Sequence, residues 1–241
     1  PGIKPILFSP NLISTRFHEH SYPAFSANGE EVFWNTYFLD NSYRFPAAIL
    51  FMRRSAKGWS KPAYAPFNVA GSGENPCLSR DGKTIYFAVA EKMKNGRFTR
   101  DIWWVKRNGA GWGKPDKVPG MVNSAMSESQ PSITENNTLY FLGQLKGVRA
   151  NIGIFRSEFK EGKFQKPEAL PESINSKHID WTPWIAPDES FILWCSVRPG
   201  GFGKGDLYIS RNTGNGQWSE AKNLGNRING PDNERFPAVS P

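Results

Sequence analysis

Three histidines and one recurring set of acids are the residues of this chain whose types and positions suit chemistry. His18, His20 and His178 are its only imidazoles. Glu19, Glu74, Glu128, Asp180 and Glu234 each stand two to four residues before one of a series of evenly spaced prolines. Carboxylates gathered with imidazoles suit a divalent cation such as Ca, Mn or Zn, and His18, His20, His178, Glu128 and Asp180 are the candidate ligands. No zinc-type spacing accompanies them, and no other cofactor is expected. The competing reading of the acids is structural: a carboxylate that recurs in every repeat can accept backbone N–H bonds and hold a crossover. A second set is cationic and aromatic. Lys94, Arg97, Arg100, Arg149 and Arg198, with Trp181 and Trp184, would suit an acidic sugar polymer or an acidic protein patch. Neither a G-x-S-x-G elbow nor a Ser or Cys partner for any histidine is present, so a nucleophilic triad has no support. Acids repeated in every unit also argue against one unique pair for glycoside cleavage.

The elements that must position these groups are written in the repeat. Pro23, Pro76, Pro131, Pro183 and Pro237 are separated by 53, 55, 52 and 54 residues. A period of that length means stacked, self-similar units. In the second copy "PCLS" reads as a short first strand and "RDGK" as an Asp-Gly hairpin turn. "TIYFAV" and "DIWWVKR" read as the second and third strands, and the fourth begins at Trp112. An aromatic column, Trp59, Trp112, Phe164 and Trp218, is expected to fill the wedge between neighbouring sheets. Asn123-Ser124, Asn175-Ser176 and Asn229-Gly230 close three of the copies as turn residues. Four-stranded units in tandem predict an all-β chain folded as a β-propeller.

The pattern P-x-x-S-x-D-G-x-x-x-Y-F followed by D-I-W or D-L-Y resembles the WD-like propeller repeats of TolB and related exported bacterial proteins. "NPCLSRDGKTIYFAV" with "DIWWV", and "TPWIAPDESFILWCSVRPGGFGKGDLYIS", are the best matches, and the resemblance spans nearly the whole chain. It implies a periplasmic or otherwise exported protein of a Gram-negative bacterium, and a fold that hosts binding scaffolds and enzymes alike. The repeat style is also similar to that of oligogalacturonate-type polysaccharide lyases, which implies a metal at the propeller centre without supplying matching residues.

The repeat boundaries give blade one as residues 19–68, blade two as 69–123, blade three as 124–176 and blade four as 177–229. Residues 1–15 align with an outer strand and 230–241 with an inner one, so a fifth blade lacking its two middle strands is expected from the two ends. A bare four-bladed ring is the alternative. The chain of 241 residues has no composition shift marking a linker. Its longest apolar run, "AAILFM", is far short of the roughly 20 residues of a membrane helix. Cys77 and Cys195 fall in non-neighbouring repeats, too far apart to bridge, and read as small buried hydrophobes. The net charge of +8 contains no run and no recognised nucleic-acid module.

The expectation from all this is a non-enzymatic binding or scaffold propeller, a monomer or part of a larger multidomain chain. It would recognise an envelope protein or anionic polysaccharide through the loops joining strand four to the next strand one. The rival is a polysaccharide lyase or glycoside hydrolase with a metal or acidic site at the same loops. Positioning of other domains is a third role.

Overall fold

The computed structural model describes residues 13, 18–19, 21–37, 47–69, 72–94, 96–145 and 152–239, with backbone only at 18–19. The fold is all-β, a β-propeller of four antiparallel blades, and no helix occurs among the described residues. Two compact units divide the chain, residues 1–117 with 238–241, and residues 118–237. Blades one and two lie in the first unit and blades three and four in the second.

Each blade has one long hairpin at its centre. In blade two this is Thr84–Lys92 against Phe98–Asn108, in continuous register from Thr84–Lys106 to Lys92–Phe98. The run "IYFAV" is buried without a break because neighbours cover both faces of the strand. Outer strands are short, as at Asp116–Lys117 and Lys222–Asn223. Trp112 therefore does not open the outer strand as expected. It belongs to a short extension, Gly111–Trp112, paired with Arg107–Asn108. The wedge role of the aromatic column does hold there. Trp112 meets Phe33 and Phe67 edge-on at 5.9 and 5.5 Å, in a core shared with Ile49, Ile85 and Phe87. In the second unit Trp218 meets Tyr140 at 6.4 Å, over a core of Ile154, Ile192, Trp194 and Tyr208.

The inner strands begin earlier than the prolines suggested. They run Gly73–Leu78, Ser129–Ile133 and Asp180–Ile185, so the acids lie inside or just before them. Each contains a register shift, between Glu74 and Cys77, Ser129 and Ser132, and Trp181 and Trp184. The residue before each proline, Asn75, Gln130 or Thr182, has φ of 51, 55 or 53°. A proline inside a strand is tolerated at a bulge, because the ladder is already interrupted. The bulge frees an N–H, and a side chain from the preceding blade accepts it. Asn35 Oδ1 takes Asn75 N at 2.8 Å, and Gln130 Oε1 takes Thr182 N at 2.8 Å.

An asparagine side chain holds the crossover that leaves three of the outer strands. Asn175 Oδ1 accepts Ile154 N at 2.7 Å, and its Nδ2 donates to Ile154 O and Leu170 O at 2.9 and 2.8 Å. Asn68 makes the same set with Ile49 and Ala65, and Asn229 clamps both backbone groups of Leu207. The amide thus imitates one more residue of the outer strand. Asn68 was absent from the sequence column because one extra residue separates it from the acid that follows.

The acids act one step further on. Ser124 N and Oγ donate to Glu128 at 3.0 and 2.6 Å, and Ser176 N and Oγ donate to Asp180 at 2.7 Å each. Glu74 pairs instead with Arg100 at 3.0 Å. Gly230 stands where the serine would be, and Glu234 Oε2 is buried with no hydrogen-bond partner among the described residues. The segment around Glu234 packs on blade four through a parallel bridge from Asn233 to Gly205, as Ser72 bridges Ala47 in blade one. That is the place of a next inner strand. Residues 1–12 of the expected N-terminal outer strand lie outside the described residues.

Three stability outcomes follow from these contacts. Trp112→Ala should cost about 3 kcal/mol in urea unfolding; a cost below about 1 kcal/mol would mean that the wedge is not a core contact. Asn175→Ala removes the partner of Ile154 N and Leu170 O, while Ile154 O keeps Leu170 N, and should cost about 3 kcal/mol, with a near-neutral result refuting the clamp. Gly230 lacks a positive φ, and a Cβ there would lie 3.4 Å from Glu234 Oε1. Gly230→Ser should therefore supply the missing donor, adding about 1 kcal/mol or about 3 °C in Tm. A fall in Tm would show that Glu234 is not aligned with its counterparts.

Candidate functional site

The second unit carries a partly open cleft of about 470 Å³, lined by Leu145, Leu170, Glu172, Asn175, Ser176, Lys177 and His178. It lies on the loop from the outer strand of blade three to the inner strand of blade four, the class of loop where the imidazoles were sought. Leu145 and Leu170 give it apolar lining, whereas Lys177 and His178 are exposed. Gly153 makes the arrangement possible: a Cβ there would come within 2.2 Å of Leu145 Cδ1 and 2.9 Å of Asn175 Oδ1.

The loop is held from beneath by Arg198. Its guanidinium donates to Ser173 O at 3.2 Å, Ile174 O at 2.8 Å and Asp180 Oδ1 at 2.9 Å. Nε donates to Ser196 Oγ at 2.8 Å, and the group lies 5.4 and 4.9 Å from the Trp194 and Tyr208 ring centroids. Asp180 in turn accepts Trp194 Nε1 at 3.1 Å besides the two bonds from Ser176. His178 N donates to Ser176 Oγ at 3.1 Å. The two charges compensate each other where Asp180 is 1 % exposed, and together they fix the backbone that presents Lys177 and His178.

The sequence-derived candidates therefore divide. Of the metal set, His178 lines the cleft, Asp180 supports its loop, and Glu128 is bonded to Ser124. The side chain of His18 and all of His20 lie outside the described residues, although His18–Glu19 pair as a strand with Thr36–Tyr37. Among the described residues no group of three His, Cys, Asp or Glu side chains could hold a metal ion. Of the binding set, Arg198 and Arg100 are engaged internally, and Lys94 and Arg97 are exposed in the first unit. Arg149 lies outside the described residues. Trp184 packs on Phe191 at 5.6 Å, and Trp181 Nε1 is buried beside the Cys195 thiol. Neither tryptophan lines the cleft. Glu172, Lys177 and the two leucines were missed; the only signal for Lys177 was its place beside His178.

Two other groups of chemical interest are accounted for. The Gly-rich "RPGGFGKGD" loop wraps the chain's own carboxylate: Phe202 N and Gly203 N donate to Asp206 at 2.7 and 3.1 Å. An internal anion thus takes the place that a phosphate would need. Burial pushes the Cys195 thiol up to about 12, so at neutral pH it is no nucleophile.

No protein-family model matches the sequence, and no curated protein matches it. Solved structures do match. TolB from Acinetobacter baumannii is 17% identical with a TM-score of 0.55, over 87% of this chain and 44% of that one. An alpha-L-arabinofuranosidase from Lactobacillus brevis is 13% identical with a TM-score of 0.54, over 88% and 75%. A xylan beta-1,4-xylosidase from Bacillus halodurans C-125 is 14% identical with a TM-score of 0.51, over 89% and 42%. The chain spans less than half the length of the TolB and xylosidase chains. At these identities the likeness is one of fold, shared with TolB and with the two glycosidases alike.

Proposed function

We propose that the chain is a non-catalytic binding propeller whose recognition site is the cleft beside His178, and that the ligand is an anionic glycan. One observation carries this reading. The recurrent inner-strand carboxylates Glu74, Glu128 and Asp180 are spent on holding loops, while Lys177 and His178 stand exposed over a preformed cleft with apolar lining. A cleft of this volume accommodates one or a few sugar rings. Its apolar lining suits a sugar face, and an exposed cation suits a carboxylate or sulfate. Loops held by buried hydrogen bonds favour binding because little ordering remains to be done. The fold shared with TolB is compatible with a binding role and does not specify it.

The rival reading, a lyase or hydrolase, takes its support from Glu172 and His178 lining one cleft, a carboxylate and an imidazole that could act as acid and base. A single experiment separates the two. Titration with oligogalacturonates by calorimetry, with product formation followed in parallel, should give saturable binding and no cleavage. Lys177→Glu and His178→Ala should each weaken binding by about tenfold. Affinity unchanged in both variants removes the cleft from the argument. Steady release of unsaturated or shortened products, lost in Glu172→Gln, would establish the enzyme instead.

A further inference from the structure

The chain's positive charge belongs to one half of it. Residues 1–117 hold seventeen Lys and Arg against nine Asp and Glu, whereas residues 118–237 hold thirteen of each. Within the first unit the excess is further confined to one edge, that of the tight turns. There the first turns of the two blades, 27–31 and 80–83, and the segments 53–61 and 106–114 around the third-to-outer turns, carry nine cations and three acids.

Pairing places these segments together. Glu31 is opposite Arg53 and Thr84 opposite Lys106, so first turns and last turns share one end of their blades. Glu31 then joins the two blades at that end, receiving Arg53 Nε at 3.0 Å and an ion pair from Arg107. With those groups paired, Arg54, Lys57, Lys61, Arg80, Lys83, Lys106 and Lys114 remain, all exposed and none in an ion pair among the described residues. Lys106 is held over the Trp104 ring at 4.0 Å, its ammonium still turned outward enough to be exposed.

The array is two-dimensional. Two turns of one blade are two strand spacings apart, about 10 Å, and packed sheets are about 10 Å apart. The four tips therefore mark the corners of a patch rather than a line. Their residues are small or charged, Ser55-Ala56-Lys57-Gly58 and Asn108-Gly109-Ala110-Gly111, so no bulky side chain holds a flat partner away. No apolar side chain larger than that of alanine stands at the tips 55–58 and 108–111 to insert into hydrocarbon. We infer that the turn edge of the first unit docks on an anionic phospholipid surface by electrostatic attraction alone. The patch geometry favours a planar field of charge over a linear polyanion, which would need its cations in file along a groove.

The test is co-sedimentation of the full chain with vesicles of phosphatidylcholine containing about 30% phosphatidylglycerol, against phosphatidylcholine alone. Binding is expected only to the anionic vesicles, and should vanish between roughly 0.05 M and roughly 0.5 M salt as screening shortens its range. Each basic residue near such a surface raises partitioning about fivefold. Reversing three of them in Lys57→Glu/Lys83→Glu/Lys106→Glu should lower it by about a hundredfold. A matched control in the second unit, Lys163→Glu/Lys166→Glu/Lys222→Glu, changes net charge equally and should bind as the parent does. Equal loss in both variants would overturn the assignment to this edge. Retention of binding in the first variant, or capture by immobilised heparin with none by anionic vesicles, would overturn the proposal. Binding by the oligogalacturonate cleft is unaffected by either result.

Discussion

Everything at the loop face depends on buried amides that extend the outer strand by one residue. Short outer strands leave third-strand N–H groups at Ile49, Ile154 and Leu207 in need of partners, beside carbonyls that one outer-strand N–H already reaches. An asparagine side chain carries a donor and an acceptor on one plane, so it can serve both at once. The backbone is then free to leave the sheet and cross to the next blade without abandoning a buried polar group. A leucine or serine there would not do this. The crossover loops can be short and rigid because this residue stands at their start.

The recurrent inner-strand carboxylates owe their place to the same need. Glu128 and Asp180 receive the first N–H and hydroxyl of the loop that the asparagine releases, and Glu74 is met by Arg100. Charge buried in this way is retained only when hydrogen-bonded, and here Glu128 and Asp180 are the acceptors that their loops lack. Arg198 shows the same economy. A guanidinium that would attract an anionic ligand from solvent is turned inward, where five donors in a fixed fork satisfy two carbonyls, a carboxylate and a hydroxyl. What the loop displays outward, Lys177 and His178, is thus set by what it has tied down inward.

The second and first units use charge differently. In the second, acids and bases are equal in number, and much of the charge holds loops. In the first, the turn edge keeps seven cations out of ion pairs, which costs some self-repulsion and gives the surface a sign.

Repeat length, strand order, hairpin turns and the wedge role of Trp112 and Trp218 were readable along the chain, because each depends on neighbours in sequence or on a column repeated at a fixed period. The recurring acids were readable as a column too, and their structural use was the preferred interpretation. The bulge before each proline was not, since the N–H groups it frees at Asn75 and Thr182 find their acceptors only on a neighbouring blade. Asn68 escaped notice through a one-residue offset that the fold absorbs in a loop. The division of the cations into paired and unpaired ones, and the joining of Lys177, His178, Leu145 and Leu170 around one cleft, rest on distances between residues far apart in the chain. Periodicity specifies which residue types stand in each blade; which of them face one another is decided only when the sheets pack.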